Sequence, residues 1–291
     1  MEAVVLEPGE GDVITEKPKR TVMIKAGIEL LALTESRYAA GQRGPDPHVH
    51  WEHTDAFYVL AGSLFFEFGR ERTRTRGEMG THVLVPPGVV HTFWNEGPEE
   101  ARFLNIHAPS ANFHEVLRAR RDRPNEEEHF DSFDPPEDGG RPAADVVVRE
   151  PNEGESIALG PSSATLKAEV TDGDGTYSLT ELWLAPGFLG PPLHRHETLA
   201  DSFYVLEGTL SVRVGKRPYD VPAGGFALAP PGTAHTLSNR SGAPVRVLNL
   251  TVPGGLDQYL RELAAVAGAP PDPELITAIA LKHDVHPAHP A

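Results

Sequence analysis

The sequence predicts an all-β protein built as two similar halves, and three observations carry that reading. The chain has 291 residues, long for one domain and ordinary for two of about 145. It holds 28 Gly and 28 Pro without a collagen-like period, which argues for many short strands rather than a helix bundle. And its segments recur in order, at an offset that stays between 143 and 146. VLEPGEG at 5–11 returns as VREPNEG at 148–154. DAFYVLAGSL at 55–64 returns as DSFYVLEGTL at 201–210, PPGVVHTFWN at 86–95 as PPGTAHTLSN at 230–239, and RFLN at 102–105 as RVLN at 246–249. Where the offset changes, the extra residues fall in turns, as in Asp172-Gly173-Asp174-Gly175 of the second copy.

The elements follow in order. AFYVLAGSLFFEFG reads as two apolar strands around Ala61-Gly62, a hairpin signal. The turn Pro86-Pro87-Gly88 delivers a strand that begins at His91, and Pro230-Pro231-Gly232 delivers its twin at His235. Helical apolar spacing predicts amphipathic helices at 113–121 and 256–263. A third is predicted near 272–283, with Asp272-Pro273-Glu274 as its start. Between the copies, residues 124–140 carry seven acidic residues and no Lys or Arg, which reads as a solvated linker. The division is therefore a first domain over 1–123, an acidic Pro/Gly linker over 124–145 and a second domain over 146–291. His283, His286 and His289 lie in a Pro-containing tail and read as loosely held chain rather than a metal site.

Composition removes several functions. Without cysteine there is no disulfide, thiolate zinc site, Fe–S cluster or cysteine nucleophile. A formal charge of −16 repels phosphate backbones and anionic membranes, so no nucleic-acid partner is expected. No apolar run approaches the roughly 20 residues of a membrane span, and MEAVVLEPGE lacks the pattern of a secretion signal. The expected location is the cytoplasm. The expected partner is a small-molecule substrate, with a homodimer allowed.

The histidines carry the chemistry. Side chains alternate faces along a strand, so His48 and His50 share a face, as do His194 and His196. Asp55 shares a face with Phe57, and Asp201 with Phe203. Each copy thus offers His-x-His, an Asp five residues on and a distant His, His91 or His235. Three imidazoles and a carboxylate suit a first-row divalent metal. The other reading is a buried His cluster satisfied by Tyr, Ser or water. The same four residue types at the same places in both copies favour the metal.

At these residues the chain resembles the cupin superfamily. The family's first motif, Gly, His-x-His, Glu and Gly, is matched by His48, His50, Asp55 and Gly62, and again by His194, His196, Asp201 and Gly208. Its second motif is matched by Gly80, Pro86, Gly88, His91 and Asn95, and by Gly224, Pro230, Gly232, His235 and Asn239. The resemblance implies a bicupin of two jelly-roll barrels, each of six to eight strands, with short helices ending each copy. It also implies one divalent transition metal (Fe, Mn, Ni, Co, Cu or Zn) inside each barrel. The motif wording is similar to that of the quercetin dioxygenase-like branch. Two departures stand out. Gly44 and Gly190 lie closer to the first His than the family's glycine does. Asp55 and Asp201 replace its Glu, and one C–C bond less brings the carboxylate about 1.5 Å less far.

The resemblance favours a dioxygenase-like oxidoreductase on a small aromatic or enolic substrate. Phe57, Phe66, Phe93 and Trp94 would wall the first pocket, and Phe203, Leu210, Leu237 and Ser238 the second. The different linings suggest unequal roles for the two barrels. The alternatives are a non-enzymatic sugar or small-molecule binder, or an isomerase or decarboxylase on the same fold. A decarboxylase would need a further acid in the pocket, for which Glu35 and Glu181 occupy equivalent positions.

Overall fold

The computed structural model describes residues 2–124, 129–142, 144–173, 175–266 and 272–289. The acidic run at 125–128 and Asp174 of the turn insertion lie outside the described residues. The chain is mainly β, every strand pair is antiparallel, and three short helices accompany the sheets.

The contacts divide the chain into two units, neither of them a continuous stretch. One comprises Gly11–Glu153 with Thr171–Thr176. The other comprises Met1–Glu10, Gly154–Val170 and Tyr177–Ala291. The division at 123 and 146 read from the sequence differs from this one because the short strand before each repeat pairs with the other repeat. Val147–Arg149 bonds to the edge of His82–Val85 in the first unit. Val4–Leu6 bonds to the edge of Phe226–Ala229 in the second. Each thereby covers backbone donors and acceptors that a sheet edge would leave bare.

In the first unit a seven-stranded sheet runs in the order Val147–Arg149, His82–Val85, Thr54–Ala61, Ala101–Ala108, Ala32–Tyr38, Arg20–Gly27, Asp12–Lys17. A three-stranded sheet of Thr73–Glu78, Ser63–Phe68 and His91–Trp94 accompanies it. The edge strands bring the count above the expected six to eight. The alternation of FYVL and its neighbours supplies the core, where Phe57, Val59, Leu64, Phe66, Val83 and Phe103 are buried together. The second unit repeats the plan with Leu166, Leu182, Leu184, Phe203, Val205 and Val247 at its centre.

The helices fall where the spacing puts them. The first, α1, is Phe113–Asp122 and buries His114, Val116 and Ala119. The second, α2, is Leu256–Val266. The third, α3, is Pro273–Lys282, and the Asp272 carboxylate accepts from the amides of Glu274 and Leu275 at its start. Among the described residues no helix is long and apolar enough to cross a membrane.

Two segments read from the sequence as solvated are ordered parts of the barrels. Phe130 and Asp131, in the supposed linker, are buried, and Phe133 bridges to Val49. In the tail, His286–Pro287 forms a strand against His194–Arg195. Charge counting missed both, because a single buried Phe or Val and a hydrogen-bonded Asp hold each one down.

Candidate metal centres and the first-barrel cavity

The first barrel brings His48, His50, Asp55 and His91 together, and the second brings His194, His196, Asp201 and His235 together. Within each set the ligand atoms all lie within 4.8 Å of one another. The strands explain the convergence. His48 and His91 pair as an isolated bridge, and His194 pairs with His235. His-x-His parity puts the third imidazole on the same face.

Two glycines allow the close approach. A Cβ on Gly44 would lie 2.4 Å from the Phe93 carbonyl oxygen, and one on Gly190 would lie 1.6 Å from that of Leu237. These are the glycines shifted from the family's usual place.

Each imidazole is fixed by its Nδ1–H. His48 donates to the Asp46 carbonyl at 2.9 Å, His91 to Val89 at 3.0 Å, and His50 to the Asp131 carbonyl. In the second barrel His194 donates to Pro192 at 2.9 Å, His196 to Asp284 at 2.8 Å and His235 to Thr233 at 2.9 Å. A carbonyl can only accept, so the proton sits on Nδ1 and the Nε2 lone pair points inward. This is the orientation that metal-ligating histidines adopt.

The inward groups then lack donors. His50 Nε2 is buried with no hydrogen-bond partner. Asp55 Oδ2 lies 3.1 Å from His91 Nε2 and 3.8 Å from His50 Nε2. Asp201 repeats this at 3.0 Å from His235 and 3.8 Å from His196. Cis donors at about 2.1 Å from one ion lie about 3.0 Å apart, so the carboxylate is in range despite its shorter stem. The residues therefore fit a divalent cation.

The electrostatics agree. Burial and the neighbouring imidazoles of His91 and His50 push the His48 pKa down to about 3. Burial and His235 push His194 down to about 4. Both are neutral at pH 7, the form in which an imidazole can ligate a metal. Burial opposes charge on Asp55, but His107, His50 and His91 outweigh it and hold the carboxyl well below its usual range. Asp201 is held down in the same way by His196 and His235 against burial.

Sequence reasoning missed the groups that aim these carboxylates. Asn105 donates to Asp55 Oδ1, and Asn249 to Asp201 Oδ1. Both are the last residue of the repeated RFLN and RVLN segments, so the repeat itself carried the signal. Asp131 and Asp284 hold the loop after each His-x-His. Asp131 accepts from the amides of Trp51 and Glu52 and from His53 Nδ1 at 2.8 Å. Asp284 accepts from the amides of Glu197, Thr198 and Leu199 and from the Thr198 hydroxyl.

The first barrel has one device without a counterpart. His53 Nε2 lies 2.8 Å from His107 Nδ1, and His107 Nε2 lies 3.1 Å from Asn105 Oδ1. A buried chain of hydrogen bonds thus joins Asp131 to Asp55. His50, His53 and His107 also bring their ring nitrogens within 4.8 Å of one another. At the equivalent positions the second barrel has Leu199 and Thr251.

A cavity of about 230 Å³ opens beside the first ligand set. His48, His50, Asp55 and His107 line one part of it. Phe93, Phe103, Phe113 and Phe130 form walls, and Arg20, Ser36, Tyr38 and Arg120 complete it. Of the aromatics expected at the mouth, only Phe93 lines the cavity. Phe57 and Phe66 are core residues, and Trp94 stacks on Phe65 with Arg43 and Arg74 near its ring. Strand parity separates Trp94 from Phe93. Glu35 does not line the cavity either. It pairs with buried Lys25 at 3.2 Å, while Glu181 pairs with Arg246.

The cupin-domain family matches this chain twice, over residues 34–107 and 181–251, and each match spans one ligand set. The chain is a bicupin. Its fold recurs in solved structures of low sequence identity. A point mutant of oxalate decarboxylase from Bacillus subtilis has a TM-score of 0.61 at 16% identity, covering 99% of this chain and 89% of that one. A putative glyoxylate induced protein from Pseudomonas aeruginosa gives 0.63 at 16%, covering 85% and 87%. The Ylba protein of E. coli gives 0.63 at 14%, covering 86% and 90%. At these identities the likeness concerns the fold alone. No curated protein sequence matches the chain.

Proposed function

We propose that the first barrel of this bicupin is a metal-dependent enzyme site, an oxidoreductase of dioxygenase type for a small enolic or single-ring substrate. On this reading the second barrel holds a metal and plays a different part, since Leu182, Leu184 and Val247 stand where the first has Ser36, Tyr38 and Phe103. His48, His50, Asp55 and His91 would hold the catalytic ion, and His194, His196, Asp201 and His235 the other. The bound ion supplies Lewis-acid and, where redox-active, one-electron chemistry with coordination positions left open for substrate oxygen.

The observation that carries this is the cavity of about 230 Å³ beside the first ligand set. That is below the roughly 300–1,000 Å³ of pockets for drug-sized ligands, which favours a single ring over a flavonol. The chain's own residues do the rest. The four Phe walls exclude water and hold a flat apolar body. Burial raises the Tyr38 pKa against the pull of Arg20, so its phenol stays protonated at neutral pH as a donor into the cavity. His107, His50 and His91 hold Asp55 as an anion and the Asn105 amide aims it, so Asp55 orients and does not donate a proton.

The fold neighbour named oxalate decarboxylase suggests decarboxylation as a second reading. Protonating the product carbanion would call for an acid. Among the residues lining the cavity the only carboxyl group is Asp55, held ionised, which favours the oxidoreductase.

The test is metal content of freshly purified protein together with oxygen uptake on catechols and small enols. Metal-dependent uptake that His91→Ala abolishes and His235→Ala retains supports the assignment. Carbon dioxide release without oxygen consumption would replace it with the decarboxylase.

A further inference from the structure

Arg20 enters the first cavity from the Arg20–Gly27 strand. Its Nε is buried and has no hydrogen-bond partner among the described residues. Its guanidinium carbon sits 5.0 Å above the Tyr38 ring, so one face of the group is occupied and its N–H edge is left to the cavity. Other arginines of this unit find carboxylates. Arg118 and Arg121 of α1 bind Asp12, and Arg72 and Arg74 bind Glu67. Arg102 and Arg149 also have a buried Nε without an acceptor, but each has a carboxylate nearby, Glu35 at 4.0 Å and Asp172 at 3.1 Å. In a chain with 42 acidic residues against 26 basic ones, the orphan nitrogen of Arg20 costs stability unless a ligand supplies the acceptor. Arg120, one turn from Leu117 on α1, lines the same cavity at its exposed side.

The second barrel provides an internal comparison. Arg20 pairs with Tyr38 across the sheet, and the same register in the second copy places Ser162 opposite Leu184. Ser36 and Phe103 become Leu182 and Val247. The Ser162 hydroxyl is already used, accepting from the Ala185 amide at 3.0 Å. Where the guanidinium is lost, the hydroxyls of Ser36 and Tyr38 are lost with it, while Thr34 and Asn105 near the ligand set keep their counterparts Thr180 and Asn249, as expected if Arg20, Ser36 and Tyr38 serve one ligand.

We infer that Arg20 is the carboxylate-recognition residue of the first barrel, and that the substrate is a small organic acid. Its carboxylate meets the Arg20 N–H edge, while its apolar body lies among Phe93, Phe103, Phe113 and Phe130. This deepens the reading of the first barrel as a substrate site and rests on it. Bidentate pairing of guanidinium with carboxylate supplies both affinity and orientation, and turns the far end of the molecule toward the histidines.

Benzoate and its uncharged isostere benzamide are the probes. Binding is measured by calorimetry on the full-length protein, metal-free after chelation and again loaded with zinc. Benzoate should bind the metal-free protein about 10- to 100-fold more tightly than benzamide, the range that a charge-assisted hydrogen-bonded pair supplies. Arg20→Met should bring benzoate to the benzamide level, with Arg20→Lys in between and benzamide unchanged. The benzamide constant also reports that the Met variant keeps a folded cavity. The metal-free benzoate constant is read with no ion in the ligand set. It therefore separates this assignment from the metal reading, which fails if zinc does not bind the wild type in a ratio of one per ligand set. Equal affinities for benzoate and benzamide, or a benzoate affinity that Arg20→Met leaves unchanged, overturn the carboxylate assignment even if the metal reading stands.

Discussion

Asp131 offers the sharpest test of how the first site is held. Burial opposes its charge, yet hydrogen bonds from His53, Trp51 and Glu52 hold its pKa down at about 2, against 3.8 for the free side chain. A gap of nearly two units is worth about 2 kcal/mol at neutral pH. Because the folded pKa is depressed, this stabilisation is fully present above pH 3.8, fades as the pH falls toward 2 and is absent below it. Asp131→Asn removes the charge while keeping the shape. At pH 7 it should raise the opening equilibrium of the loop by about 30-fold, read as faster hydrogen exchange at the Trp51 and Glu52 amides in chelator-treated protein. Since the Asp131 carbonyl also orients His50, metal affinity of the first barrel should fall about 10- to 100-fold. Asp284, also held at about 2, provides the control. Asp284→Asn should speed exchange at Glu197 and Thr198 and leave Trp51 and Glu52 protected. Unchanged exchange at Trp51 and Glu52 in Asp131→Asn would refute the view that this carboxylate anchors the loop.

Three further outcomes follow from the geometry. With Oδ2 3.0–3.1 Å from one imidazole nitrogen, Asp55→Ala and Asp201→Ala should lose as much metal from their barrels as His91→Ala and His235→Ala, and full retention would leave three histidines as the ligand set. Lys25→Met removes one of the cations facing Glu35, which Lys25 pairs at 3.2 Å and Arg102 approaches at 4.0 Å, and should cost the first unit about 1–3 kcal/mol in urea unfolding; no measurable loss would show that the remaining partners of Glu35 suffice. Gly187 and Gly190 both have φ of +75°, but only at Gly190 would a Cβ strike backbone. Gly187→Ala should therefore cost about 1–2 kcal/mol and Gly190→Ala clearly more, together with second-barrel metal; equal melting temperatures would dismiss the close approach to Leu237.

Repetition made much of this legible. One His-x-His is ambiguous, but two in register with a downstream Asp and a later His pointed to both ligand sets, and strand parity turned Asp55 and Asp201 inward. Its limits are as physical. The exchanged strands Val4–Leu6 and Val147–Arg149 sit in the repeated VLEPGEG and VREPNEG segments, but a repeat reveals equivalence and not which copy a strand will pair with. The shorter stem of Asp argued for a less secure bond than Glu makes; in the fold the Asn105 and Asn249 amides aim these carboxylates, whose Oδ2 atoms lie 3.0–3.1 Å from an imidazole nitrogen. His53, His107 and Arg20 have no equivalents in the second copy, so a reading built on equivalence passed over the residues that make the first barrel different. Phe130 and Asp131 were hidden by the acidic company they keep.

The reciprocal pairing of the two leading strands bears on how the protein can be taken apart. A fragment ending near residue 123 would keep Val4–Leu6 without its pairing edge and leave His82–Val85 bare. Such an edge recruits any matching strand, including one from another fragment. Such a piece should associate or aggregate whether or not its core is sound. The cut that respects the hydrogen bonds lies elsewhere. Residues 11–153 carry their own edge strand and lose only the 171–176 turn, with its Arg149–Asp172 pair, and joining 1–10 directly to 154 restores the edge strand of the other half, since 11 and 154 are equivalent positions of the repeat. Two such fragments would let each barrel's metal be counted separately.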